Sequence, residues 1–372
     1  MLPPPADRVK LMTILDGLTA AVEELLLGGL TTASESTQRT LTAAMQEASR
    51  SRLLRLGSAL RASAEELGRF ARGDEAFSRR RLCFFLGRSW LLGRGLSHAL
   101  DAGNEAEYDR LAWTPPGVPL PAVEVVCLGV AKRVAAGSFA AFEFRLRAVA
   151  DAGPIAAGGR LSWSVIYSIK PGLDIAPEAF LSLTQKQKFA PISLLDRTTI
   201  VIRGAALATD GVGGGRIALN DESTVVAGGR FQDWDRFLDW TPRAALETLD
   251  RHRPGPLDLD TELQEEVTLR DYEVGDPVPG DEPGHLAYPI GAGPLELCGV
   301  VGPGPGDAVL KQGLDALKGG AKNRPPLFGL MHYERCRLVF QPLTTFGAGP
   351  DYLTVSREGL NKAALLKAMS ST

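Results

Sequence analysis

Phe142-Glu-Phe-Arg-Leu-Arg147 and Leu161-Ser-Trp-Ser-Val-Ile-Tyr-Ser-Ile169 are the stretches on which the fold of this chain turns. In the first, Phe142, Phe144 and Leu146 alternate with Glu143, Arg145 and Arg147. In the second, Leu161, Trp163, Val165, Tyr167 and Ile169 alternate with Ser162, Ser164 and Ser168. Successive side chains of a strand point to opposite faces, so this spacing predicts two strands, each with one buried and one wetter face. Upstream, Val123-Glu-Val-Val-Cys-Leu-Gly-Val130 reads as a further strand. Downstream, a short helical piece lies between Ala176 and Leu183, with Pro177 near its start. Residues 198–207 and 216–226 then form a hairpin around Thr209-Asp-Gly-Val-Gly-Gly-Gly215.

The resulting order, β-β-β-α-β-β, resembles an oligonucleotide/oligosaccharide-binding (OB) barrel, which binds ligands on an exposed sheet face and its loops. If so, Lys132, Arg133, Arg145, Arg147, Lys170 and Arg216 cluster on or around the second and third strands. That is the region where such a barrel stacks bases and contacts phosphates. Trp163 and Tyr167 lie on the apolar side and read as core, and Glu143, Asp221 and Glu222 dilute the positive field. A formal net charge of -3 leaves no chain-wide attraction to a phosphate backbone.

Toward the N-terminus the period changes to that of helices. Leu11, Ile14, Leu15, Leu18, Val22, Leu25 and Leu26 share one helical stripe that ends at Gly28-Gly29. A second helix starts near Ser34. A third carries Leu53, Leu56, Leu60, Leu67 and Phe70 to Gly73. A fourth, with Asp74 as its expected cap, carries Phe77, Phe84, Phe85, Leu91, Leu92, Leu96 and Leu100. Short connections favour antiparallel neighbours, hence a helical bundle over residues 1–111. Its positive charges between Ser34 and Leu100 are all arginines, Arg79-Arg80-Arg81 among them; they read as a solvated helical face, and they also suit an acidic protein partner, the chain's own stretch from Asp258 to Glu282 being one candidate. Prolines 115, 116, 119 and 121 make residues 112–121 an extended linker. The barrel then occupies 122–250. Residues 251–284, rich in acids from Asp258 to Glu282, read as an acidic linker in which Val267–Tyr272 could add an edge strand. Residues 285–372 read as a small C-terminal α+β unit with a terminal helix after Ser356. The hairpins at Ile202-Arg-Gly-Ala-Ala and Leu327-Phe-Gly-Leu-Met are alike, so this unit is a candidate degenerate second barrel. The fold class is thus multidomain α + β.

No catalytic or metal pattern emerges. His98, His252, His285 and His332 fall in separate elements, and Cys83, Cys127, Cys298 and Cys336 form no C-x-x-C pair; reduced thiols fit a cytoplasmic protein. Gly211-Val-Gly-Gly-Gly215 opens a strand and lacks the Lys-Ser/Thr of a P-loop. Gly302-Pro-Gly-Pro-Gly-Asp307 precedes a helix, but Asp307 would repel an anion there. Neither a cofactor nor a metal is expected. No apolar run is long enough for a membrane span, and the N-terminus does not read as a signal peptide.

Leu195-Asp-Arg-Thr-Thr-Ile-Val-Ile-Arg-Gly, Val123-Glu-Val-Val-Cys-Leu-Gly-Val and Arg337-Leu-Val-Phe-Gln-Pro-Leu are similar to segments of uncharacterised bacterial proteins. These are encoded beside SWIM zinc-finger proteins, MoxR-type AAA+ ATPases and von Willebrand factor A proteins. The chain lacks the cysteine/histidine set of a SWIM finger. The resemblance implies an accessory subunit of an ATPase-driven system, with an AAA+ ATPase or von Willebrand factor A protein as partner. The expected function is therefore a non-enzymatic adaptor acting by protein binding. Single-stranded nucleic-acid binding through the barrel is the alternative, and an unrecognised enzyme the third reading.

Overall fold

A computed structural model describes residues 2–356 and 365, apart from 31–34, 75–76, 113–116, 136–138, 170–174, 210–213, 239–240, 252–263, 320–323 and 335–336. The molecule is α + β, with helices first and two sheets after them, and the helical residues before 117 make one compact unit.

In the helical unit, α1 (Pro5–Gly28), α2 (Glu35–Arg50), α3 (Leu54–Ala71), α4 (Arg79–Asp101) and α5 (Glu105–Ala112) follow one another. The core takes Leu11, Leu15, Leu18, Val22 and Leu25 from α1, the stripe expected of an amphipathic helix. Leu26, Phe70 and Phe84, assigned to the same apolar stripes by sequence, instead point largely to solvent. Asp74 does not cap α4. Ser78 does, its hydroxyl accepting from the Arg81 N–H, while its own N–H donates to Glu66.

The first sheet holds β1 (Val118–Ala135), β2 (Phe139–Ala148), β3 (Arg160–Ser168), β4 (Thr198–Thr209), β5 (Gly215–Ala218) and β6 (Thr224–Arg230). β1 pairs with β2, β2 with β3, β3 in parallel with β5, β5 with β4, and β4 with β1, so the hydrogen-bonded path returns to its first strand. The single strand expected over 216–226 is broken: β5 ends at Ala218, a turn at Asn220–Ser223 intervenes, and β6 continues along β4 from Thr224. The 3-10 turn Pro177–Ser182 lies between β3 and β4. Phe142, Phe144, Leu146, Leu161, Trp163, Ile200, Ile202 and Ile217 fill the interior.

β1 begins at Val118, inside the stretch read as a linker, because residues 118–124 already pair with β4. Pro119 and Pro121 are tolerated there since β1 joins β2 only from Val125, leaving one edge without a ladder to supply. α6 (Pro242–Arg251) follows the sheet.

The second sheet departs most from expectation. Of the stretch read as an acidic linker, the described residues form β7 (Glu265–Leu269), β8 (Tyr272–Val274) and β9 (Val278–Pro279). They are followed by β10 (Leu286–Ala292), β11 (Leu295–Val301), α7 (Ala308–Ala316), β12 (Leu327–Glu334), β13 (Arg337–Phe346) and β14 (Pro350–Tyr352). β7 pairs with β12, β12 with β13, β13 in parallel with β11, β11 with β10, and β10 with β8. β7 and β8 are one run bent at Asp271, whose φ is +51°. This path therefore closes through the chain itself, in the same order as the first sheet and with α7 where the first has Pro177–Ser182.

Both sheets belong to one compact unit. Val126, Leu128 and Ala131 on the outer face of β1 pack with Trp234, Phe237, Leu238, Phe328, Leu330, Leu343 and Phe346. The proposed terminal helix lies outside the described residues except for Leu365, which is fully buried in the core of the first sheet. No helix among the described residues is long and apolar enough to cross a membrane.

Candidate ligand-binding face

From Phe144 to Ala148, β2 is buried on both sides, which its alternation alone does not foretell. Inside, the Phe144 ring stacks on Trp163 with centroids 5.4 Å apart, and Trp163 meets Phe189 at 5.5 Å. Tyr167 stacks on Phe180, and its hydroxyl accepts from the Gln185 amide; burial pushes its phenol pKa up. These aromatics are core and offer no stacking platform.

Outside, Arg145 and Arg147 are only 6% and 3% exposed. The Arg147 guanidinium pairs with Glu266, and Arg145 Nη1 lies 3.6 Å from the same carboxylate. Arg145 Nη2 is 2.7 Å from Glu143, and Arg160 Nη1 is 2.8 Å from Glu265. The anticipated phosphate-contacting pair is therefore covered by β7, because two buried guanidiniums need a carboxylate more than the open sheet face needs them. Burial pushes the Arg147 guanidinium pKa down, and Glu266 pulls it back. Burial likewise raises the Glu266 carboxyl, but Arg147, Arg145 and Arg160 outweigh it and hold it below its ordinary value.

Of the other four candidates, the three that are described do not form one patch. Lys132 lies 2.6 Å from Glu178 of the Pro177–Ser182 turn and donates to the Gly306 carbonyl. Lys170 lies outside the described residues. Arg216 is half-buried on β5, level with Ser162, and Arg133 is exposed on β1.

The open half of this outer face follows from the register. Arg133 of β1, Ala141 of β2 and Ile166 of β3 stand in one row, and Ala135, Phe139 and Ser168 in the next. Ile166 is 69% exposed and Phe139 38%. Glu143, held by Arg145, marks where the covered half begins. The result is a shallow platform with two apolar side chains, small neighbours and an arginine at its edge. The corresponding face of the second sheet is acidic: Pro289, Gly291 and Glu296 are exposed, with Glu273 beside Gly291.

Sequence reasoning missed Glu265 and Glu266. The available signal was that the acidic pair immediately precedes the strand-like Val267-Thr-Leu269.

Residues 210–213 lie outside the described set, and Asp307 occupies the Gly302 loop by accepting the Gly302 N–H. Among the described residues no group of three or more histidines, cysteines and acids is placed to hold a metal. His285 lies 3.9 Å from Glu282 and His332 3.6 Å from Glu334, as separate pairs.

No family model matches the chain, and no curated protein matches it. Among solved structures, one described as structural mimicry for functional antagonism aligns with 64% of this chain and 95% of its own, at 9% identity and a TM-score of 0.31. A HINa domain in complex with a 20-bp double-stranded DNA covers 63% and 96%, at 9% identity and a TM-score of 0.29. A murine DNA-binding protein bound with double-stranded DNA covers 63% and 97%, at 11% identity and 0.28. Likenesses of this size carry no argument about fold or ligand.

Proposed function

We propose that this chain is a non-enzymatic adaptor whose two sheets are OB-like barrels, and that it binds a protein partner on the open half of the outer face of β1, β2 and β3. The order first strand, second, third, fifth, fourth, with a helical element between third and fourth, supports the barrel reading for both sheets. The observation that carries the functional reading is the internal neutralisation of the arginine face. With Arg145, Arg147 and Arg160 committed to Glu265 and Glu266, the accessible part presents Phe139 and Ile166, which suit an apolar anchor better than a polyphosphate. An AAA+ ATPase or a von Willebrand factor A protein, in the cytoplasm, is the partner class that the resembled bacterial proteins suggest. That assignment rests on resemblance alone.

Single-stranded nucleic acid on the same platform is the second reading. An exposed aromatic with an arginine one row away is the pairing that stacks a base and meets its phosphate, and Phe139 and Arg133 supply it. One experiment separates the two. Ile166→Arg is expected to abolish co-purification of the ATPase or von Willebrand factor A protein with the tagged chain from its native host. Labelled single-stranded DNA and RNA are expected to bind weakly at physiological salt. Submicromolar binding that falls with salt by a log–log slope of about 0.7 per phosphate, and is lost in Phe139→Ala and Arg133→Ala, would replace the protein reading.

A further inference from the structure

The most basic element of this net-acidic chain is α4, which carries Arg79, Arg80, Arg81, Arg88 and Arg94 against a lone Asp101. Its inner face is fully used. Leu82, Leu86, Leu92, Leu96 and Leu100 enter the bundle core. On one flank the Trp90 indole donates to Glu23 of α1 at 2.7 Å, and on the other Arg81 lies 3.0 Å from Glu66 of α3.

The remaining face is also ordered. Arg80, Phe84, Gly87, Leu91, Arg94 and His98 follow one another at spacings of four, three, four, three and four, which is the spacing of a helix–helix seam. Phe84 is 55% exposed, Leu91 is half-buried, and Arg80, Arg94 and His98 are exposed. At the centre, a Cβ on Gly87 would meet nothing within 4 Å, so no packing among the described residues requires a glycine in the middle of a 23-residue helix. A mid-helix glycine is unfavourable unless another backbone comes close. The face is thus an apolar notch with cationic ends.

We propose that this seam is the docking surface for an amphipathic helix of a partner protein, apolar along one stripe and carrying carboxylates at both ends of that stripe. Apolar residues of the partner would seat over Gly87 between Phe84 and Leu91, and its carboxylates would meet Arg80 and Arg94. A second copy of this chain is a poor occupant, because a self-complementary contact sets arginine against arginine whichever way the helices run. The surface belongs to the helical unit, and its test does not depend on the barrel platform.

The test uses the full chain and two labelled synthetic helices, each with a leucine stripe, one carrying glutamates at both ends and the other lysines at the same positions. Fluorescence anisotropy is expected to show at least tenfold tighter binding of the glutamate helix, weakening with salt. Phe84→Glu and Gly87→Leu are each expected to reduce that affinity tenfold or more. The double change Arg80→Glu and Arg94→Glu should reverse the preference toward the lysine helix, which a variant that merely misfolds could not do. Equal binding of the two helices, no binding of either, indifference to Phe84→Glu, or self-association of the chain through this face would overturn the proposal.

Discussion

Glu266 gathers the electrostatics of the sheet unit into one carboxylate, within reach of Arg145 and Arg147 and buried with them. Removing one partner of a buried ion pair leaves the other charge without compensation, so Glu266→Gln is expected to destabilise the protein by about 3–5 kcal/mol in denaturant titrations. The pH dependence has a definite sign. The folded carboxyl sits below its ordinary value, so the unfolded state takes up protons first. The contribution is complete above the unfolded value of roughly 4.3 and is lost as pH falls through the folded value. Acid titration of the wild type should therefore show a loss of stability below about pH 4 that is smaller in Glu266→Gln. Gly87 makes the opposite case. A Cβ there meets none of the described residues within 4 Å, so Gly87→Ala should raise the stability of the helical unit by about 0.5–1 kcal/mol, read from its melting curve.

Elements differ in how far their own residues define them. The helices and the strands β2 and β3 follow from local spacing, since an apolar stripe or alternation is useless in any other conformation. β7 does not, because two adjacent glutamates read as solvent-facing until two arginines from another sheet cover them. β1 has a similar hidden constraint. At its bulge, Gly129 lies against the second sheet, where a Cβ would be 3.0 Å from Leu343 Cβ and Phe328 Cε1. Gly129→Val should thus force the sheets apart locally, at a cost of about 1–3 kcal/mol in chemical denaturation.

On the scale of the molecule, the two sheets depend on each other. Besides the apolar layer and the Arg–Glu cluster, the Tyr352 hydroxyl donates to the Cys127 carbonyl and Thr354 Oγ1 to the Val130 carbonyl. Calorimetry should show the two sheets melting in a single transition, shifted down by Glu266→Gln and Gly129→Val, with the helical unit's transition unmoved. A fragment of residues 122–250, the barrel as bounded by sequence, lacks the pairing of 118–120 with β4, the carboxylates of Glu265 and Glu266, and the buried Leu365. It should fail to give protected amides in hydrogen exchange, whereas residues 117–372 should retain them.

By itself the sequence determined the helical N-terminal part, the strand order from Val123 to Val226 and the inward placing of Phe142, Phe144 and Trp163, because each is written in spacings shorter than a dozen residues. Only the tertiary structure decided that Arg145 and Arg147 are closed to ligands, that the strand suspected in the acidic stretch starts a second sheet and carries Glu266 onto those arginines, and that Phe139 and Ile166 share an open platform. Those outcomes depend on pairs more than a hundred residues apart or on register between strands. A charged side chain in a sequence carries no mark of whether its counter-charge will be water, a ligand or a glutamate from another sheet.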